Sequence, residues 1–92
     1  LLNAGNQTTQ NLLMNLVHQL ITTGLWARVR ADRALVPVAI EESLRLTPPI
    51  QYGVRRPLAD TEVGGCPVRA GEPVVLSNLA ANRDARIWGE EN

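Results

Sequence analysis

The first 27 residues contain no Asp, Glu, Lys or Arg; the first ionic side chain is Arg28. An uncharged stretch of that length is either a membrane span or a helix enclosed by protein. A span needs about 20 mostly apolar residues. This stretch instead carries seven amides, Asn3, Asn6, Gln7, Gln10, Asn11, Asn15 and Gln19, and no long apolar run. Amides without partners are costly in hydrocarbon, so no membrane span is expected and the segment reads as a helix inside a protein. Leu12, Leu13, Leu16, Val17, Leu20 and Ile21 recur at three- and four-residue spacing, which is the helical period. Asn3, Gln7, Gln10, Asn11 and Asn15 mark another face. Gly24 follows as the stop, so the helix is expected from about Leu2 to Thr23.

A short amphipathic helix is expected from Leu25 to about Ala31, with Asp32 capping whatever follows. Pro37 fits the first turn of a third helix, where its missing N–H costs nothing. That helix ends at about Leu46, because Pro48 biases Thr47 away from helical angles. The period then changes. Val54 to Leu58 reads as a short irregular strand limited by Pro57. Thr61-Glu62-Val63 and Cys66-Pro67-Val68 flank Gly64-Gly65, a pair suited to the positive φ angles of a tight hairpin. Ala70-Gly71-Glu72 is a second turn. Pro73 to Asn78 reads as a strand with Val74 and Leu76 on one face, and Ala80 to Ile87 as a helical turn. The expected fold class is mainly α with small antiparallel β hairpins, an α+β order. It divides into a first helix over 1–24, two helices over 25–46, a small β region over 47–79 and the start of a further segment over 80–92. Such short strands cannot cover a long, largely apolar helix. With no initiator Met and a loop-like close at Gly89-Glu90-Glu91-Asn92, the chain is expected to be one segment of a longer protein.

Composition removes several functional classes. Nine arginines balance nine acidic residues among 92, so no net field favours nucleic acid or an anionic membrane. Two Trp, one Tyr and no Phe offer little surface for stacking bases. A single cysteine, Cys66, excludes an internal disulfide and a multi-cysteine zinc site.

Two local patterns carry chemistry. Ala4-Gly5-Asn6-Gln7-Thr8 places a glycine inside a helix, where it costs about 1 kcal/mol relative to Ala and lets a flat group approach the backbone. Thr8 stands four residues after Ala4, so its hydroxyl can compete for the Ala4 carbonyl and open the helix locally. Glu42-Ser43-Leu44-Arg45 sets a carboxylate and a guanidinium at i, i+3 on one helix face. Each pattern alone is ordinary: an irregular core helix, and a weak surface ion pair.

Together, in this order, they resemble the cytochrome P450 family of haem-thiolate monooxygenases. Ala4, Gly5 and Thr8 resemble the family's Ala-Gly-x-x-Thr signature in its long central helix. Glu42 and Arg45 match its Glu-x-x-Arg signature, with the usual extra Glu41 before it. Gly65-Cys66-Pro67-Val68-Arg69-Ala70-Gly71-Glu72-Pro73-Val74 resembles the family's Gly-x-x-Ile-Pro-x-Gly-x-x-Val hairpin, with Val68-Arg69 in place of Ile-Pro. Ala81-Asn82-Arg83-Asp84 resembles its Ala-Asn-Arg-Asp stretch, with Ala85 where Pro is usual. The resemblance covers nearly the whole chain.

The resemblance implies roles by position. Ala4 and Gly5 would lie over the distal face of the haem, leaving room for dioxygen. Thr8 would be the oxygen-side hydroxyl, a hydrogen-bond donor that helps deliver protons. Arg55 aligns with a residue that binds a haem propionate, a match for a guanidinium fork; Arg56 competes for that role, one residue away. Glu42 and Arg45 would form a buried structural ion network. Val54 and its neighbours after the proline pair would flank the substrate pocket. Gln7 departs from the usual acid before the threonine, and an amide cannot release a proton as a carboxylic acid does. The family's iron-ligand cysteine lies downstream of Asn82-Arg83-Asp84, in a loop outside these 92 residues. Cys66, at a variable hairpin position, is not that ligand and reads as a small buried or partly buried side chain. His18 reads as a packed or surface histidine. No metal ligand is expected in the chain itself, which alone is expected to be inactive.

The implied parent is a cytoplasmic bacterial monooxygenase that contains haem. It would oxidise a small organic substrate with electrons from a ferredoxin-type donor and its reductase, with no nucleic-acid or membrane partner. The alternative is a truncated relic or interaction module that holds no haem by itself.

Overall fold

The computed structural model describes residues 2–89. Helix α1 runs Leu2–Thr22, α2 Trp26–Ala31 and α3 Val36–Leu46, with a 3-10 turn at Arg33–Leu35 between α2 and α3. Four strands follow, β1 Tyr52–Arg55, β2 Thr61–Val63, β3 Cys66–Val68 and β4 Val74–Ser77, then two single helical turns, α4 Asn78–Ala81 and α5 Ala85–Trp88. The α+β order expected from the sequence is therefore present.

The local signals act as their chemistry requires. α1 stops at Gly24, whose φ of +73° is open to glycine at no steric cost. The Asp32 carboxylate accepts from the Ala34 N–H, capping the turn that leads to α3. Pro37 sits in the first turn of α3. The Gly64-Gly65 loop joins β2 to β3 with φ of +58° and +82°, and the register pairs Val63 with Cys66 and Thr61 with Val68.

The second sheet is less local. β1 pairs antiparallel with β4, Tyr52 opposite Ser77 and Arg55 opposite Val74. The hairpin β2–β3 is thus an excursion between two strands that pair with each other. This corrects the strand expected at Val54 to Leu58: it begins two residues earlier and ends before Pro57. The partner β4 is what sets it, through a ladder no local pattern announces. The helical turn expected over Ala80 to Ile87 is likewise two turns, broken at Asn82-Arg83-Asp84. Ser77 caps the first, accepting from the Ala80 N–H, and Asp84 the second, accepting from the Arg86 N–H. The close expected beyond Gly89 lies outside the described residues.

Little core forms among these elements. Leu20 is the one buried large hydrophobic among the described residues, while Leu13, Met14, Val17 and Ile21 of the same helix stand exposed. The radius of gyration is 17.3 Å, against about 12 Å for a compact chain of this length. α1 is therefore uncovered along most of its length, as strands this short leave it.

The Gly64-Gly65 loop yields a direct test. A Cβ at Gly65 meets nothing within 4 Å, so Gly65→Ala probes backbone conformation alone. A left-handed non-glycine residue costs about 1–2 kcal/mol. Gly65→Ala should lower the thermal midpoint of the full-length protein by a few degrees, whereas Ala70→Ser, at a negative φ, should leave it unchanged.

Candidate functional site

Arg45 is the most enclosed charged group among the described residues, 6% exposed. Its Nε donates to Glu42 Oε2 at 2.8 Å and its Nη2 to Glu42 Oε1 at 2.6 Å, a two-pronged fork. Its Nη1 donates to the Asn82 carbonyl at 2.9 Å. The Trp88 ring lies against the guanidinium face, 5.2 Å from centroid to Cζ, where a cation is attracted to the ring. Glu42 itself is half exposed, so the expected buried network is buried on the arginine side only. The Arg45 hydrogen bonds hold the Glu42 carboxyl below its ordinary range, against the opposing effect of burial.

The same junction closes the end of α3. Asn82 Nδ2 reaches the Leu44 carbonyl at 3.4 Å and Arg83 Nη2 the Leu46 carbonyl at 2.9 Å, groups a helix end leaves without partners. Trp88 Nε1 donates to the Ala81 carbonyl at 3.2 Å. The motifs at Glu42–Arg45 and Ala81–Asp84 are therefore one constellation in space. Sequence reasoning missed Trp88. Nothing periodic links position 88 to position 45, and only the turn break at Asn82-Arg83-Asp84 brings the ring back.

At the other end of the chain, Thr8 Oγ1 donates to the Ala4 carbonyl at 2.6 Å. The bond expected from the four-residue spacing is made, yet α1 continues unbroken through it to Thr22. Thr8 is half-buried, while Ala4, Gly5 and Gln7 are exposed. A Cβ at Gly5 would meet nothing within 4 Å. α1 is joined to the end of α3 by its amides: Asn15 Nδ2 donates to the Thr47 carbonyl at 3.0 Å and Gln19 Nε2 donates to Thr47 Oγ1.

The two arginines after β1 differ. Arg56 Nη1 donates to the Gly71 carbonyl at 2.7 Å, locking the turn whose Gly71 N–H donates to the Pro57 carbonyl. Among the described residues, Arg55 Nη1 donates to its neighbour, the Val54 carbonyl, and to nothing further away. One guanidinium is engaged in the fold and the other is presented. Val54 is 46% exposed. Cys66 is exposed, contrary to the covered position expected for it, because the β2–β3 hairpin pairs with itself and no described element covers its outer face. His18 is exposed on α1. No group of three or more potential metal ligands exists among the described residues, and no described helix is long and apolar enough to cross a membrane.

The sequence model of the family described as Cytochrome P450 matches residues 2–91. The chain belongs to the cytochrome P450 family. It is 39% identical over 85 residues to the putative cytochrome P450 YjiB of Bacillus subtilis, covering 91% of this chain and 22% of that protein. It is 41% identical over 90 residues to the vitamin D3 dihydroxylase of Streptomyces griseolus, covering 96% of this chain and 22% of that protein. The structure superposes on a post-tailoring hydroxylase involved in himastatin biosynthesis with a TM-score of 0.87 and 42% identity, over 94% of this chain and 24% of that one. The chain thus spans less than a quarter of the length of these relatives. Cytochromes P450 are haem-thiolate monooxygenases, and haem is the cofactor of the family.

The Arg45 junction generates two expectations for the full-length P450. Lysine cannot span both Glu42 oxygens and the Asn82 carbonyl while lying flat on Trp88. Arg45→Lys and Glu42→Ala should therefore lose most of the folded haem protein, read as the reduced carbon-monoxide band per milligram, while Trp88→Phe retains it. Normal yield in both would reduce the junction to a surface contact. Acid should also loosen it. Glu42 lies below its ordinary 4.5, and Asp84, bonded to the Arg86 side chain and backbone, is lowered to about 2. Carboxyls depressed by folding stabilise the protein above their unfolded values and lose that effect as pH falls through the folded ones. Stability should decline from about pH 4.5 downward, and Glu42→Gln should flatten the upper part of that decline in denaturant midpoints.

Proposed function

We propose that the longer protein containing this chain oxidises a small organic substrate with dioxygen, drawing electrons from a ferredoxin-type donor through its reductase. One observation carries the reading most: the Ala4–Thr8 turn, in which a glycine bares the helix and the threonine hydroxyl is held on its half-buried side. The names of the relatives, a vitamin D3 dihydroxylase and a post-tailoring hydroxylase involved in himastatin biosynthesis, support a small organic substrate.

The residues present fit a haem on two sides. Gly5, with open space where a Cβ would stand, and Ala4 would lie over its distal face. Arg55, whose guanidinium donates among the described residues to the adjacent Val54 carbonyl alone, would bind a propionate through a charge-assisted pair. Arg56 is the weaker candidate, since the Gly71 carbonyl already occupies it. A haem held there, with a thiolate ligand from elsewhere in the longer protein, would supply the oxygen-activating chemistry. That thiolate would come from the family's ligand loop, Cys66 being confined to the β2–β3 hairpin.

Thr8 handles the proton differently from a simple donor. Its hydroxyl proton is committed to the Ala4 carbonyl, so towards any further partner it would present lone pairs. In that state Thr8 holds a water or other proton-bearing group in place, and it donates only after rotating away from Ala4. Gln7, exposed beside it, can orient a water through its amide but cannot supply a proton. Val54 would flank the substrate.

Coupling of electron flow to product tests this arrangement in the full-length enzyme. Thr8→Ala should divert electrons to peroxide and lower product per reduced nicotinamide severalfold, with the carbon-monoxide band intact, since positioned proton transfer is worth about 10²–10⁴-fold in rate. Gln7→Glu should hold or improve coupling. Unchanged coupling in both variants would remove this turn from proton handling.

A further inference from the structure

The covered stripe of α1 consists of Thr8, Leu12, Asn15, Leu16, Gln19 and Leu20, with its other residues exposed. The threonine of the Ala4–Thr8 turn and the two amides that reach Thr47 thus share one helix face. Thr8 and Asn15 are two turns apart, about 10 Å along the axis.

Thr47 opens a strap, Thr47-Pro48-Pro49-Ile50-Gln51, that leads from α3 into β1. The strap is held at both ends. Asn15 and Gln19 engage its first residue twice, once at the carbonyl and once at the hydroxyl. At its far end the Ile50 carbonyl accepts from Asn78 Nδ2 at 3.0 Å, and the Gln51 carbonyl accepts from the Leu79 N–H at 3.2 Å. Two prolines fix φ between those points, and Pro48 is buried. Thr47 and β1 are thus joined by a short strap tied at both ends.

We propose that Asn15 and Gln19 are positioning residues. Through Thr47 they set where the strap and β1 stand relative to the Thr8 face of α1, and so which part of the haem plane stays open to substrate. This rests on the functional reading above, in which β1 flanks the substrate and α1 lies over the haem. Neutral amides suit the task, since they donate two directed bonds without placing a charge on a helix that has none.

The test reads the shape of the pocket rather than turnover. Phenyldiazene arylates the haem of the full-length protein, and oxidation then moves the phenyl group to whichever pyrrole nitrogens are uncovered. The ratio of the four N-phenyl porphyrins maps the open quadrants. Gln19→Leu and Thr47→Val should change that ratio by about threefold or more, the scale set by losing one net hydrogen bond. Their double variant should add nothing further. Thr47→Ser, which keeps the accepting oxygen, should retain the wild-type ratio. An unchanged ratio in Gln19→Leu and Thr47→Val, even with a lowered thermal midpoint, would make the amides a plain staple and overturn the proposal. If Gln19→Leu fails to retain haem, the Thr47→Val and Thr47→Ser pair decides alone. A wild-type protein without a thiolate-type carbon-monoxide band would instead overturn the functional reading itself, and this proposal with it.

Discussion

A guanidinium withdrawn from water must have all of its charge and most of its N–H groups answered, or the burial is ruinous. Arg45 meets that condition with partners from two distant parts of the chain. Glu42 neutralises it from one turn away on α3, and the Asn82 carbonyl and Trp88 ring enclose it from beyond the β region. The Arg45–Asn82 bond spans 37 residues. The intervening strands are bound to themselves and to each other, so this junction, with the strap at Ile50 and Gln51, relates the helical half to the β half. Asn82 and Arg83 return the constraint by closing the carbonyl end of α3.

Contacts of this kind matter more here than in a compact domain. The described residues bury one large hydrophobic, Leu20, and extend over 53 × 38 × 20 Å. Apolar burial alone, which is non-directional, would leave the elements free to slide. Directed polar ties hold them instead: the Asn15 and Gln19 amides on Thr47, Arg56 on the Gly71 turn, and Asp60 accepting from the Ala70 N–H at 2.8 Å. The uncharged character of α1 gains a second meaning in this light. Two of its amides, Asn15 and Gln19, are fittings by which it is attached.

Elements governed by neighbours in sequence were legible in advance. The stop at Gly24, the cap at Asp32, the end of α3 before Pro48 and the Gly64-Gly65 loop each depend on a steric or hydrogen-bonding preference within about four residues. Features governed by distant partners were not. The first strand starts two residues before its local pattern predicts, since its limits come from pairing with Val74–Ser77. Cys66 was expected to be covered, but composition says nothing about which face of a hairpin another element will pack on. Arg55 is favoured over Arg56 only by its place in the motif, one residue apart; the Gly71 carbonyl engages Arg56.

The residues by themselves therefore determined the helices, the hairpin turn and the membership in the P450 family, because motif residues and caps act at fixed short spacing and keep their order along the chain. The tertiary structure alone decided that Glu42–Arg45 and Ala81–Asp84 are one junction closed by Trp88, that Arg55 rather than Arg56 is presented, and that the amides of α1 meet Thr47. Each of those outcomes is a meeting of groups between 15 and 43 residues apart, from Arg56 with Gly71 to Arg45 with Trp88. At such separations the intervening chain can close in many ways, and only the assembled network of directed bonds selects one.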